Sequence, residues 1–177
     1  LFADDISTRY FFDKDLYNSF SYKVGFRLSN LLVQNVTLTG EYTLTNPYVY
    51  KHHAETQNYT SNSYNMGHYL VGNSQEFYLS IKYKPIRGLE GEISYSLAQH
   101  GDDYDINNPI DGAHSDPRLK NIIWQNQNIM LQTRYEIVSN TYVYGVFNYQ
   151  SITGEHTASE KYTPEYYWGK TSTFTVG

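Results

Sequence analysis

Val36-Thr37-Leu38-Thr39-Gly40-Glu41-Tyr42-Thr43-Leu44-Thr45 alternates without a miss. Val36, Leu38, Gly40, Tyr42 and Leu44 fall on one side, and Thr37, Thr39, Glu41, Thr43 and Thr45 on the other. A strict period of two is a β-strand with one apolar and one polar face. The same pattern recurs in Phe77, Leu79, Ile81 and Tyr83 against Tyr78, Ser80, Lys82 and Lys84. It recurs again in Leu89, Gly91, Ile93, Tyr95 and Leu97 against Glu90, Glu92, Ser94, Ser96 and Ala98. Soluble-domain strands average about five or six residues, so these are long.

Working outward, alternation predicts strands near 19–29, 36–46, 76–84, 89–100, 127–136, 141–150 and 170–177. The connections between them alternate in length. Long ones cover 47–75, 101–126 and 151–169, and short ones cover 30–35, 85–88 and 137–140. In an antiparallel meander, that alternation sends every long loop to one end of the strands and every tight turn to the other. Short periplasmic turns and long extracellular loops are the signature of outer-membrane barrels. His52, His53, His68, His100, His114 and His156 all lie in or at the edge of long loops. Pro47, Pro109, Pro117 and Pro164 lie in long loops and Pro85 in a short turn, so no proline interrupts a predicted ladder.

Composition agrees. Tyrosine accounts for 20 of the 177 residues, and its ring sits among headgroups while its hydroxyl stays wet, as membrane girdles require. A mean hydropathy of −0.61 argues against helical spans, and no stretch approaches the roughly 18 apolar residues that one needs. A barrel tolerates that average because only alternate residues face lipid. The chain opens at Leu1 without a leader-like segment, and 171–177 alternates like a strand stopping early. The expectation is a C-terminal fragment of a larger up-and-down transmembrane β-barrel, all-β and one domain over 1–177, with about seven or eight strands. Leu1–Ile6 would be the tail of a preceding strand. The inward faces would carry Lys23, Arg27, Glu41, Lys82, Lys84, Glu90, Glu92, Arg134 and Glu136. That load suits a wider lumen than the filled interior of an eight-stranded barrel.

The absence of cysteine removes disulfides, Cys-zinc sites and cysteine nucleophiles. A net charge of −5, spread along the chain, offers no basic patch for nucleic acid.

Glu41-Tyr42-Thr43-Leu44-Thr45-Asn46-Pro47-Tyr48-Val49-Tyr50-Lys51-His52 leads into Asn58-Tyr59-Thr60 and then Gly67-His68-Tyr69-Leu70-Val71-Gly72-Asn73-Ser74. With Tyr83-Lys84-Pro85-Ile86-Arg87-Gly88-Leu89 and His100-Gly101, this run resembles the Wzi-type capsule-assembly outer-membrane proteins of the Bacteroidota. The resemblance covers about 40–101. It departs from the family pattern at an inserted residue in Gly67–Gly72, and the last third is similar only in barrel character. It implies a large, non-catalytic, lectin-like barrel that binds capsular or other surface polysaccharide.

The first long loop gathers Tyr48, Tyr50, His52, His53, Tyr59, Tyr64, His68 and Tyr69, the aromatic and hydrogen-bonding groups that stack on sugar rings. The same rings also suit an upper girdle and the loop's own packing. Asp102, Asp103 and Asp105, with Asp111, His114 and Asp116 beyond, offer hard oxygen donors of the kind calcium takes. The Gly and Glu of an EF-hand are missing from register, so a solvated acidic loop is the plainer reading and no metal is expected. Glu90 and Glu92 share a strand face at about 6–7 Å, a spacing a hydrolase could use. Lys82 and Lys84 make cross-strand ion pairing the cheaper explanation. Asn35-Val36-Thr37 and Asn58-Tyr59-Thr60 match a glycosylation triplet that carries no information in an outer-membrane setting.

The expected function is therefore polysaccharide binding through extracellular loops, in the outer membrane of a Gram-negative bacterium, with no cofactor and no catalysis. Its expected partners are outer-membrane lipid, the polysaccharide and other envelope proteins. The alternatives are an accessory barrel in a secretion or surface-assembly complex, a solute channel or transporter, and an aromatic-rich soluble carbohydrate enzyme or lectin.

Overall fold

The protein is described by a computed structural model covering residues 2–4, 19–30, 33–54, 56, 58–62, 64–108, 117–159 and 161–177. It is mostly antiparallel β-sheet with almost no helix. The strands are β1 (Phe2–Asp4), β2 (Ser19–Ser29), β3 (Val36–Thr45), β4 (Thr60–Ser61), β5 (Tyr64–Asn65), β6 (Ser74–Ile86), β7 (Leu89–Gly101), β8 (Ile122–Val138), β9 (Thr141–Gly154) and β10 (Gly169–Val176). One helical turn, α1 (His156–Ser159), and a 3-10 turn at Glu165–Tyr167 lie between β9 and β10. Among the described residues no helix is long and apolar enough to cross a membrane.

Eight strands form one sheet in the order β1-β2-β3-β6-β7-β8-β9-β10, a meander broken only by the separate β4–β5 hairpin inside one connection. The sheet is open, with β1 and β10 as its edges. Short connections are closed by residues that accept positive φ: Asn30 (59°) and Asn35 (64°) between β2 and β3, Gly88 (84°) between β6 and β7, and Asn140 (65°) between β8 and β9. Asn30 also holds the first turn together, its side-chain oxygen accepting from Asn35 N at 2.7 Å.

Several boundaries differ from expectation. β6 spans Ser74–Ile86, so Pro85, expected in a turn, lies one residue from the end of a strand. β8 begins at Ile122 and β9 runs to Gly154, because the ladder continues through polar pairs such as Gln125↔Thr153 and Gln127↔Ser151. Amides and hydroxyls carry no apolar alternation, yet the backbone pairs through them. A bulge between Glu136 and Val138 precedes the last pair, Val138↔Thr141, at the tight turn.

Contacts group the chain into two compact units. The first combines Thr43–Gln75 and Gln99–Ile123 with described residues up to Lys23, and the second combines Val24–Tyr42, Glu76–Ala98 and Trp124–Gly177. The first has an ordinary interior, with Leu44, Val49, Tyr48, Tyr50, Leu70, Tyr104 and Ile106 buried.

The second unit buries Ala98, Trp124, Ile152 and Ala158, but along much of β6 to β9 polar residues are covered beside exposed apolar neighbours. Ser80 is 4% exposed while its neighbour Ile81 is 44% exposed, and Ser94 is 6% exposed beside Ile93 at 50%. Register aligns Ile129 with Tyr149 and Ser172, and Leu131 with Phe147 and Phe174, on one face of β8, β9 and β10. Ile129, Leu131, Phe147 and Phe174 are all exposed, whereas the opposite face of β8 and β9 carries half-buried Asn128, Gln132, Asn148 and Gln150, and β10 is exposed on both faces.

Candidate functional site

The first unit is built from two long connections tied to each other. Tyr48 packs its ring against Tyr104 at 6.4 Å, and the two form a cluster with Ile106. Tyr104 Oη donates to Pro117 O at 2.9 Å, and Lys51 Nζ donates to Tyr104 O at 2.9 Å. Asn73 is the main tie. It is 2% exposed, its Nδ2 donates to Asp102 O at 2.7 Å, and its Oδ1 accepts from Leu119 N at 2.8 Å. Gly101 makes room for that amide: a Cβ there would lie 2.5 Å from Asn73 Nδ2.

A second cluster organises the other rings. Tyr50 stacks on Tyr59 with centroids 5.9 Å apart and planes 23° from parallel, and its hydroxyl accepts from His68 N at 3.2 Å. Gly67 lies flat against the Tyr50 ring, where a Cβ would come within 2.3 Å. His68 in turn contacts Tyr69, centroids 4.7 Å apart.

The eight aromatic and histidine candidates therefore divide. Tyr48 and Tyr50, each 5% exposed, are interior residues whose faces are taken by protein. Tyr50, Tyr59, His68 and Tyr69 come together in one chain of contacts, in which Tyr59 and Tyr69 reach the surface at 39% and 63% exposure. Tyr64 stands on the β4–β5 hairpin at 79% exposure. His53 Nδ1 lies 2.9 Å from Asn107 Oδ1, and His52 donates its backbone N–H to Asn58 Oδ1 at 2.7 Å.

The three aspartates do not converge. Asp102 Oδ2 accepts from Asn121 Nδ2 at 2.7 Å, Asp103 lies 3.9 Å from Lys51 Nζ, and Asp105 Oδ1 accepts from Asn107 N at 2.9 Å. Among the described residues no group of three or more His, Cys, Asp or Glu side chains is placed to hold a metal ion. Asp111, His114 and Asp116 lie outside the described residues.

On the polar faces of β6 and β7, Lys82 Nζ lies 3.5 Å from Glu90 and 3.2 Å from Glu92, and Lys84 Nζ lies 3.2 Å from Glu90. The Glu90 and Glu92 carboxylates are thus engaged by cations, the ion-pair arrangement the alternation suggested. Sequence reasoning did not single out Asn73 or Tyr104. The Gly72-Asn73 pair, with Asn73 at φ 51°, was the available turn signal for the first. Nothing local marks Tyr104, whose partner Tyr48 is distant in sequence.

Comparison with known family models, curated proteins and solved structures finds no match for this chain.

Proposed function

We propose that these strands are part of a transmembrane β-barrel of the outer membrane that binds surface or capsular polysaccharide through its long loops, without catalysis. One observation carries the membrane half of this reading: in the second unit Ser80 and Ser94 are covered while neighbouring Ile81 and Ile93 are about half exposed. In water each such half-exposed aliphatic side chain forgoes part of the about 1.5–3 kcal/mol that full burial is worth, whereas in hydrocarbon the same placement is favourable. Every backbone group of a strand in lipid must also be paired, so the sheet edges would be closed by further pairing.

The polysaccharide half rests on Tyr59, Tyr64 and Tyr69, whose rings reach the surface, and on the resemblance of 40–101 to Wzi-type proteins. Aromatic faces at the surface of a loop held by buried packing are suited to stacking on sugar rings with little ordering cost. The test is retention of extracted capsular polysaccharide by the full chain in lipid vesicles. Tyr64→Ala combined with Tyr69→Ala is expected to reduce retention at least about tenfold, as loss of two stacking contacts requires. Unchanged retention would refute the loop as the binding surface.

A further inference from the structure

In the second unit, ion pairing on the polar faces of β6, β7 and β8 leaves one guanidinium group unpaired among the described residues and a second in a single long ion pair. Lys82 and Lys84 are taken by Glu90 and Glu92 at 3.2 Å, and Glu136 turns its carboxylate to Asn140 N at 3.3 Å. Arg134 reaches Glu90 only at 3.9 Å, too far for a hydrogen bond, and lies over the Tyr142 ring, 4.6 Å from its centroid. Arg87, in the turn between β6 and β7, has no ion pair or side-chain hydrogen bond among the described residues.

Both arginines line one open recess of about 350 Å³, together with Lys84, Glu90, Glu136 and Tyr142. Three positive groups, Lys84, Arg87 and Arg134, face two negative ones, Glu90 and Glu136, so the lining carries one positive charge in excess. That excess lies within a chain of net charge −5.

We propose that this recess binds the carboxylate of a sugar-sized acid, with Arg87 and Arg134 as its two forks. A guanidinium is a planar donor pair matched to a carboxylate, and Tyr142 holds one of the two in place before any ligand arrives. The volume lies at the lower end of small-ligand sites, and one excess positive charge matches a monoanion. The site stands on this geometry alone, so it survives failure of the loop reading and its own failure leaves that reading untouched.

The test is calorimetric titration of the full chain in detergent with glucuronate, glucose and inorganic phosphate. Glucuronate should bind saturably, with glucose and phosphate each at least about tenfold weaker, the loss expected when a charge-assisted pair or the fit of the sugar ring is missing. Arg87→Gln, on an exposed turn, should weaken glucuronate by about tenfold, and so should Arg134→Gln once circular dichroism shows an intact sheet. Arg118→Gln, remote in the chain and exposed, should not. No saturation by glucuronate, equal binding of glucose, equal binding of phosphate, or an Arg87→Gln titration like the parent would each overturn the proposal.

Discussion

Leu44 and Val49 in the first unit are 1% and 0% exposed, whereas Ile81 and Ile93 in the second are 44% and 50% exposed. The first unit hides its apolar groups behind tyrosine rings and ties its loops with a buried amide, as a protein in water does. The second covers Ser80 and Ser94 and half-buries Asn128, Gln132, Asn148 and Gln150 while Ile81, Ile93, Ile129 and Leu131 are exposed, although it also buries Trp124 and Ile152. One sequence rule, alternation with period two, produced both outcomes, so alternation fixes which residues share a face and leaves open which face is covered. On the proposed reading, the two surfaces are built for different media.

The contrast can be broken most forcefully on the displayed face. Leu131→Arg is expected to destabilise the chain in lipid vesicles by about 2–4 kcal/mol, measured by reversible denaturant unfolding, because a charge would be forced into hydrocarbon. In a sheet facing water, the same change would lie within about 0.5 kcal/mol of neutral.

Next in size is the buried tie of the first unit. Asn73→Ala removes a donor to Asp102 O and an acceptor from Leu119 N, leaving both backbone groups without that partner. The expected cost is about 1–3 kcal/mol for each buried group left unsatisfied, read out as faster proteolysis within 102–121 while the strands stay protected. Gly67→Ala should follow, at about 1–3 kcal/mol, because its methyl must displace the Tyr50 ring from Tyr59. Loss of near-ultraviolet dichroism from stacked tyrosines would report it. The smallest effect belongs to the ion pairs of the second unit. Lys82→Gln should cost at most about 1 kcal/mol and less in high salt, since the Lys82 side chain is 31% exposed.

Much of the strand framework was legible because alternation is local. Val36–Thr45 and Leu89–Gly101 can be read from side-chain type alone, and the asparagines that close the tight turns carry their own signal. The start of β8 was hidden because Ile122-Ile123-Trp124 is an apolar run without alternation and Gln125-Asn126 has no apolar beat, although Trp124, Gln125 and Asn126 pair with β9. The candidate site was less legible. Tyr48, Tyr50, Tyr59 and Tyr64 look alike in sequence, but the first two are interior because Tyr104 and Gly67 meet them from distant positions. Likewise Asp102, Asp103 and Asp105 suggest a cation loop until Asn121, Lys51 and the Asn107 backbone draw them apart.

The chain has no cysteine, so single cysteines can carry spin labels one at a time along β9. Labels at Val143, Gly145, Phe147 and Tyr149, compared with labels at Tyr144, Val146, Asn148 and Gln150, measure which medium each face meets. In vesicles the account predicts that the first set collides with lipid-dissolved oxygen and the second with a water-soluble nickel complex, alternating residue by residue. Labels at Phe147 and Val143 as open to the nickel complex as that at Asn148 would contradict it.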